Sequence, residues 1–321
     1  MAKVFIAGEI PEQANQLLSE AGLDIDEFTG PELIDTETLK SRIKDADYLI
    51  TPLSTQVTKE VIDSAPQLKL IANFGAGFSN IDIKYAEQKN IPVTNTPFVS
   101  SVSTAEVASG LIISLLHRVV EGDQLMRSKG FNGWAPLFFL GHELSGKTLG
   151  IIGMGQIGQQ VAKRMHAFDM PIIYTQRHQL SQAQEIELGA KYVSKAELIK
   201  NADVISLHIP ATPETQHYLG ENEFNEMKDT AYLINCVRGA VIDEAALLKA
   251  LQNKQIAGAA LDVYEHEPAV DDGFKQLKNV ILTPHIGNAT IEARDAMAEI
   301  VSKNVIAAEQ GDTIKYIVNN L

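Results

Sequence analysis

Short apolar runs alternate with stretches of helical periodicity from one end of the chain to the other, the pattern of parallel α/β architecture. Residues 3–7, 48–51, 70–73 and 92–95 read as four buried strands. Helices over 13–21 and 36–43 lie between them, so the first hundred residues predict one compact unit. A long apolar-rich helix is expected next. Ser103 and Thr104 followed by Glu106 resemble a capping signal, and the pattern continues to about Met126. The segment SKGFNGWAPLFFLGHELSG, residues 128–146, has neither period; an irregular stretch of that size is usually functional or an interface arm. A second α/β series follows, with strands over 148–152, 172–175, 203–208, 231–235, 258–262 and 280–283 and helices from 156, over 181–188 and over 244–252. The last helix, about 290–310, has no strand of its own and is expected to pack back on the first unit. The predicted organisation is therefore a discontinuous domain, 1–100 plus 287–321, into which a domain of residues 101–286 is inserted, with an arm at about 120–146.

The second series opens on a turn with candidate chemistry. Gly153-Met-Gly155-Gln-Ile-Gly158 is a G-x-G-x-x-G sequence directly between a strand and a helix, the context a dinucleotide-binding turn requires. Gly153 permits the tight turn, Gly155 lets a pyrophosphate approach the backbone, and Gly158 lets helix and strand pack closely. The first helical residues, Gln156 and Ile157, offer unpaired N–H groups to phosphate. About 20 residues on, where an NAD site usually has an acid for the ribose hydroxyls, stands Thr175, with Arg177 two residues later. Thr175 can donate to a 2′-phosphate and Arg177 can pair with it. This predicts NADP(H) as the favoured cofactor, with NAD(H) as the alternative in which Arg177 is only a solvated residue.

Charge narrows the partners. The 321 residues carry 27 Lys+Arg against 41 Asp+Glu, a formal net charge of −14, which argues against nucleic acid or an anionic membrane as a partner. Apolar residues make up 45%, ample for two cores. The strongest apolar stretch, 107–116, is shorter than the roughly 20 residues of a membrane span. The N-terminal sequence turns acidic at Glu9, unlike a signal peptide. One cysteine, Cys236, excludes an internal disulfide and suits a reducing, cytoplasmic setting.

Three segments place a reactive side chain at the C-terminal end of an expected strand, where open α/β sheets bind ligands: LINCVRG with Arg238, ALDVYEHEP with Glu267, and TPHIG with His285. Arginine for an anionic substrate, histidine as acid or base, and glutamate to hold the imidazole form a set suited to a 2-oxo acid. His208 closes another expected strand in an L-H-x-P sequence and reads as a packed residue, because His285 already has a carboxylate. The remaining histidines show no metal-ligand spacing, so no metal is expected.

These segments, together with FGAGFSNID (74–82), NTPFVSSVSTAEVASG (95–110) and LHIPATPET (207–215), resemble the D-isomer-specific 2-hydroxyacid dehydrogenases over nearly the whole chain. The resemblance implies an α/β fold of a Rossmann cofactor domain inserted in a discontinuous flavodoxin-like substrate domain, with the active site in the cleft between them. It implies that Arg238 binds the substrate carboxylate and polarises the keto group, that His285 protonates the carbonyl oxygen, and that Glu267 pairs with His285. Asp262 would meet the nicotinamide carboxamide, the backbone amides of Ala76 and Gly77 would grip the substrate carboxylate, and Thr104 would sit near the cofactor. Cys236 would be a small pocket-lining residue, since hydride transfer needs no nucleophile. Glu267 separates the chain from the formate dehydrogenases of this superfamily, which have Gln there. Val237 departs from the small Ser or Ala usual before the arginine. Within the family, Trp134-Ala-Pro-Leu-Phe138 is similar to the W-x-P-L-W loop of glyoxylate/hydroxypyruvate reductases, whose second Trp lines the neighbouring subunit's active site. Here that position is Phe138, which enlarges the pocket and removes an N–H donor. The expectation is a homodimeric reductase making a D-2-hydroxy acid from glyoxylate or hydroxypyruvate. Bulkier 2-keto acids are the alternative substrates, and an NAD(H)-sensing dimeric binding protein is the alternative of a different class.

Overall fold

The computed structural model describes residues 1–30 and 32–321. They form two compact units, residues 1–100 with 289–321 and residues 101–288. The first unit contains five parallel strands: β1 (Lys3–Ile6), β2 (Asp24–Glu27), β3 (Tyr48–Pro52), β4 (Leu70–Phe74) and β5 (Val93–Thr94). Their order, β2-β1-β3-β4-β5, is the flavodoxin-like winding. Alternate side chains of the central strands serve opposite faces. Phe5, Leu49 and Ile71 enter one core. Val4, Ile6, Tyr48, Ile50 and Leu70 enter the other, where Met297, Ala298, Val301 and Val305 of the helix Ile291–Gln310 cover them. Thr290 caps that helix by accepting the N–H of Ala293, so the chain re-enters the first unit directly as a helix.

The second unit contains seven parallel strands: β6 (Leu149–Ile152), β7 (Ile172–Thr175), β8 (Ala190–Tyr192), β9 (Val204–Leu207), β10 (Tyr232–Asn235), β11 (Gly258–Leu261) and β12 (Val280–Leu282). The order β12-β11-β10-β9-β6-β7-β8 is that of a Rossmann sheet extended by one strand. It reverses between β6 and β9, so the loop after β6 lies at the topological switch point.

Three differences from the sequence reading have physical reasons. β2 and β8 escape it because Asp-Ile-Asp-Glu and Ala-Lys-Tyr are short edge strands without a buried apolar run. The long helix is two helices, Ser101–Leu116 and Val119–Arg127, bent by 66°. Apolar periodicity continues through the break, but Arg118 adopts φ +58° and its guanidinium lies 4.0 Å from the Phe139 ring centroid while bonding Glu121 and the Leu140 carbonyl. Contacts with the irregular segment thus override local propensity. Finally, the helix starts at Ser101, which puts Ser103 and Thr104 inside its first turn rather than at its cap. Among the described residues no single helix is long and apolar enough to cross a membrane.

Candidate active site

The glycine turn follows β6 without a gap. Gly153 adopts φ +96°, and a Cβ there would lie 2.5 Å from the His208 carbonyl oxygen. At Gly158 a Cβ would lie 2.2 Å from the Gly153 carbonyl oxygen, so the helix Gln156–His166 could not seat on the strand. Around Gly155, by contrast, a Cβ would meet nothing within 4 Å. Two glycines are thus required by the fold and the middle one leaves open space over a helix N-terminus, a cradle that fits a pyrophosphate. Gln156 and Ile157 occupy the first two helical positions. Gln176, unremarked in the sequence, steadies the turn: its Oε1 accepts the Met154 N–H at 3.0 Å and its Nε2 donates to the His178 carbonyl at 2.6 Å. Thr175 is buried at the end of β7, and Arg177 is exposed just beyond it. Across the turn, the Thr212 hydroxyl, with a smaller contribution from Arg177, holds the Glu214 carboxyl below its usual range.

The ends of β10, β11 and β12 bear the other residues. Oε2 of Glu267 lies 2.9 Å from Nδ1 of His285, and Oε1 accepts the Tyr264 N–H at 3.0 Å. Burial pushes the Glu267 carboxyl up, but the bonds from His285 and Tyr264 and the charge of Arg238 outweigh it and leave Glu267 below the ordinary carboxylate range. Arg238 is half-buried; burial lowers its pKa against the opposing pull of Glu267, yet a guanidinium so far above neutrality stays charged. Its loop is shaped by Asn235, whose side chain donates to the Arg238 carbonyl and accepts the Val237 N–H. Gly239 is required next, because a Cβ there would come within 1.9 Å of the Tyr264 backbone.

His285 sits in the left-handed region at φ +54°, uncommon for a residue other than glycine. A clamp holds it there. Asp262, wholly buried, accepts the Thr283 hydroxyl at 2.6 Å, the Ile286 N–H at 2.8 Å and the Gly287 N–H at 2.8 Å. The Gly287 carbonyl in turn accepts the hydroxyls of Ser103 at 2.9 Å and Thr104 at 3.0 Å. The structure therefore gives Asp262 and Thr104 contacts that the sequence does not suggest. Asp262 is engaged with the histidine loop, and Ser103 belongs to the same arrangement although no sequence signal placed it there. The expected capping signal at 103 and 104 instead serves this clamp.

Burial raises the Cys236 thiol well above its ordinary value, with Asp262 adding to the effect, so it remains protonated and unreactive. His208 is buried, with Nε2 2.8 Å from the Ser206 hydroxyl, and burial pushes its pKa down to about 3, keeping it neutral. Ala76 is exposed and Gly77 partly so, on the loop after β4 in the first unit. Phe138 stacks on Phe131 at 6.1 Å within the irregular segment, whose Trp134 and Leu137 are each 84% exposed.

A Rossmann unit with a glycine cradle and an Arg–Glu–His set at neighbouring strand ends defines the class of dinucleotide-dependent oxidoreductases. The family profile described as "D-isomer specific 2-hydroxyacid dehydrogenase, NAD binding domain" matches residues 109–287. The chain is 54% identical over 99% of its length to a Staphylococcus epidermidis protein named as a candidate 2-hydroxyacid dehydrogenase, all of which is covered. A solved protein from Thermus thermophilus superposes with a TM-score of 0.92 at 36% identity, covering 98% of this chain and 99% of that one. An NADPH-dependent glyoxylate/hydroxypyruvate reductase from Sinorhizobium meliloti superposes with a TM-score of 0.84 at 28% identity, covering 99% and 98%. The chain belongs to the D-isomer-specific 2-hydroxyacid dehydrogenase family.

Proposed function

We propose that the protein reduces a small 2-oxo acid, glyoxylate or hydroxypyruvate in the first instance, to the D-2-hydroxy acid, with NADPH preferred over NADH. The Glu267–His285 hydrogen bond carries this reading, since a carboxylate on Nδ1 leaves Nε2 as the atom that gives its proton to the carbonyl oxygen. When bound, the reduced nicotinamide supplies the hydride that the carbonyl carbon receives. Arg238 neutralises the substrate carboxylate and draws charge from the carbonyl, assisted by the backbone amides of Ala76 and Gly77. Glu267 stabilises the protonated imidazole before transfer, and Asp262 with Thr104 keeps the His285 loop in place beside the nicotinamide site. Gly153, Gly155, Gln156, Ile157 and Gly158 would hold the pyrophosphate of the dinucleotide, and Cys236 would be a small residue lining its pocket.

The NADPH preference rests on Thr175 and Arg177 at the end of β7, where no carboxylate would repel a 2′-phosphate. It is in keeping with the Sinorhizobium meliloti relative, whose name states NADPH dependence. The exposed apolar arm around Trp134 and Leu137 supports a homodimer in which Phe138 reaches the neighbour's substrate site. Phenyl in place of indole at that position also favours a second reading, in which bulkier 2-keto acids are reduced. A panel of 2-oxo acids assayed with both coenzymes tests these statements together. The expected result is the highest kcat/KM with glyoxylate or hydroxypyruvate and a lower KM for NADPH. Equal or lower KM for NADH refutes the coenzyme assignment, and a preference for phenylpyruvate refutes the small substrate. Coenzyme binding without turnover of any 2-oxo acid would favour a sensing protein.

A further inference from the structure

Three buried asparagines converge on the loop that follows β4. Asn73, wholly buried, donates through Nδ2 to the carbonyls of Gly75 at 3.2 Å and Gly77 at 2.6 Å. Asn95 donates to the carbonyl between them, that of Ala76, at 2.7 Å. Asn80 fixes which way the Asn73 amide faces, donating to its Oδ1 at 3.3 Å and to the Thr55 carbonyl at 3.0 Å. The Thr96 N–H adds a second donor to the Gly75 carbonyl at 3.0 Å. Three consecutive carbonyl oxygens are therefore bonded into the body of the first unit.

That arrangement decides where the amides point. In a planar trans peptide the N–H lies opposite the C=O of the same unit. The partners of these three carbonyls are the N–H groups of Ala76, Gly77 and Phe78, so all three are turned away from the asparagines. Ala76 and Phe78 are exposed and Gly77 partly so, and among the described residues none of these three N–H groups donates a hydrogen bond. Successive outward N–H groups make a concave site for an anion.

Building on the functional reading above, we propose that Asn73, Asn80 and Asn95 are positioning residues that orient residues 76–78 as a three-amide nest for the substrate carboxylate, with the Phe78 N–H as a third donor. The asparagines touch no substrate. They act by holding carbonyl dipoles away from the incoming anion. Asn rather than Asp is required at 73 and 95, because a carboxylate facing the two carbonyl oxygens that Asn73 meets, or the one that Asn95 meets, has no proton to give and would repel them.

The test uses Asn95→Asp, which removes the bond to Ala76, alongside Asn73→Asp, which removes the other two. Binding of oxamate, a carboxylate the enzyme does not reduce, is measured by titration calorimetry on the coenzyme-saturated protein, and coenzyme affinity is measured on the same preparations. Oxamate should bind wild type and weaken about tenfold or more in Asn95→Asp. KM for the 2-oxo acid should rise in parallel, kcat should change less than about threefold, and coenzyme Kd should stay unchanged. Should Asn73→Asp fail to fold, Asn95→Asp alone carries the test. Unchanged oxamate affinity in the folded variant, or no oxamate binding by wild type, overturns the nest. Absence of turnover by a wild type that binds oxamate refutes instead the functional reading on which the nest was built.

Discussion

Asp262 Oδ2 accepts the backbone N–H of Gly287 at 2.8 Å, and this bond sets the histidine two residues earlier. With the Thr283 hydroxyl and the Ile286 N–H on its other oxygen, the buried carboxylate grips the loop on both sides of His285. The left-handed backbone of His285 is held by its surroundings rather than by its own preference. Proton transfer depends on such placement, because small displacements from the reactive geometry cost large factors in rate.

The outer part of the clamp can be loosened without touching the carboxylate. Ser103→Ala deletes one of the two hydroxyls on the Gly287 carbonyl. Turnover should fall about three- to tenfold with coenzyme affinity and Tm nearly unchanged. Asp262→Asn, which places an amide donor against donors, should lower kcat about a hundredfold. Steady-state kinetics with a fluorescence measurement of coenzyme binding checks both; full activity in Asp262→Asn would mean that the loop does not depend on it.

The glycines of the turn should separate by function. A methyl at Gly158 meets the Gly153 carbonyl oxygen at 2.2 Å, whereas one at Gly155 meets open space. Gly158→Ala should therefore lose thermal stability and Gly155→Ala should keep the wild-type Tm while binding coenzyme at least about tenfold more weakly. Melting curves and coenzyme titrations distinguish these outcomes. Equal coenzyme affinity in Gly155→Ala would remove the cradle assignment.

His208 predicts a particular acid response. Its pKa falls from 6.5 to about 3 on folding, so below pH 6.5 the unfolded chain binds a proton that the folded chain refuses. The stability associated with the neutral ring is present above pH 6.5 and is lost progressively as the pH falls from there toward 3. His208→Gln should show a shallower decline of Tm between pH 7 and 4 than wild type, since contributions from the carboxylates are common to both. Parallel declines would contradict a histidine buried in its neutral form.

Residues that act through local sequence are legible, and those that act through tertiary contact are not. The glycine turn, Arg238, Glu267 and His285 announce themselves because each stands in a short motif beside an apolar strand. Asn73 and Asn95 look like ordinary polar residues at strand ends, and only folding brings them to one loop. Ser103 and Thr104 carry a real signal with a different meaning: hydroxyls that suit a helix cap in sequence bond the Gly287 carbonyl, more than 180 residues away. The break at Arg118 likewise depends on Phe139, which no periodicity before it could reveal.

Reduction of hydroxypyruvate by wild type and His285→Gln, with chiral resolution of the glycerate formed, tests D-specific reduction with His285 as the proton donor. The expected result is NADPH-dependent formation of D-glycerate by wild type and a loss of about a thousandfold in His285→Gln, which retains its fold and coenzyme binding. Formation of the L isomer, or near-normal turnover without the histidine, would contradict it.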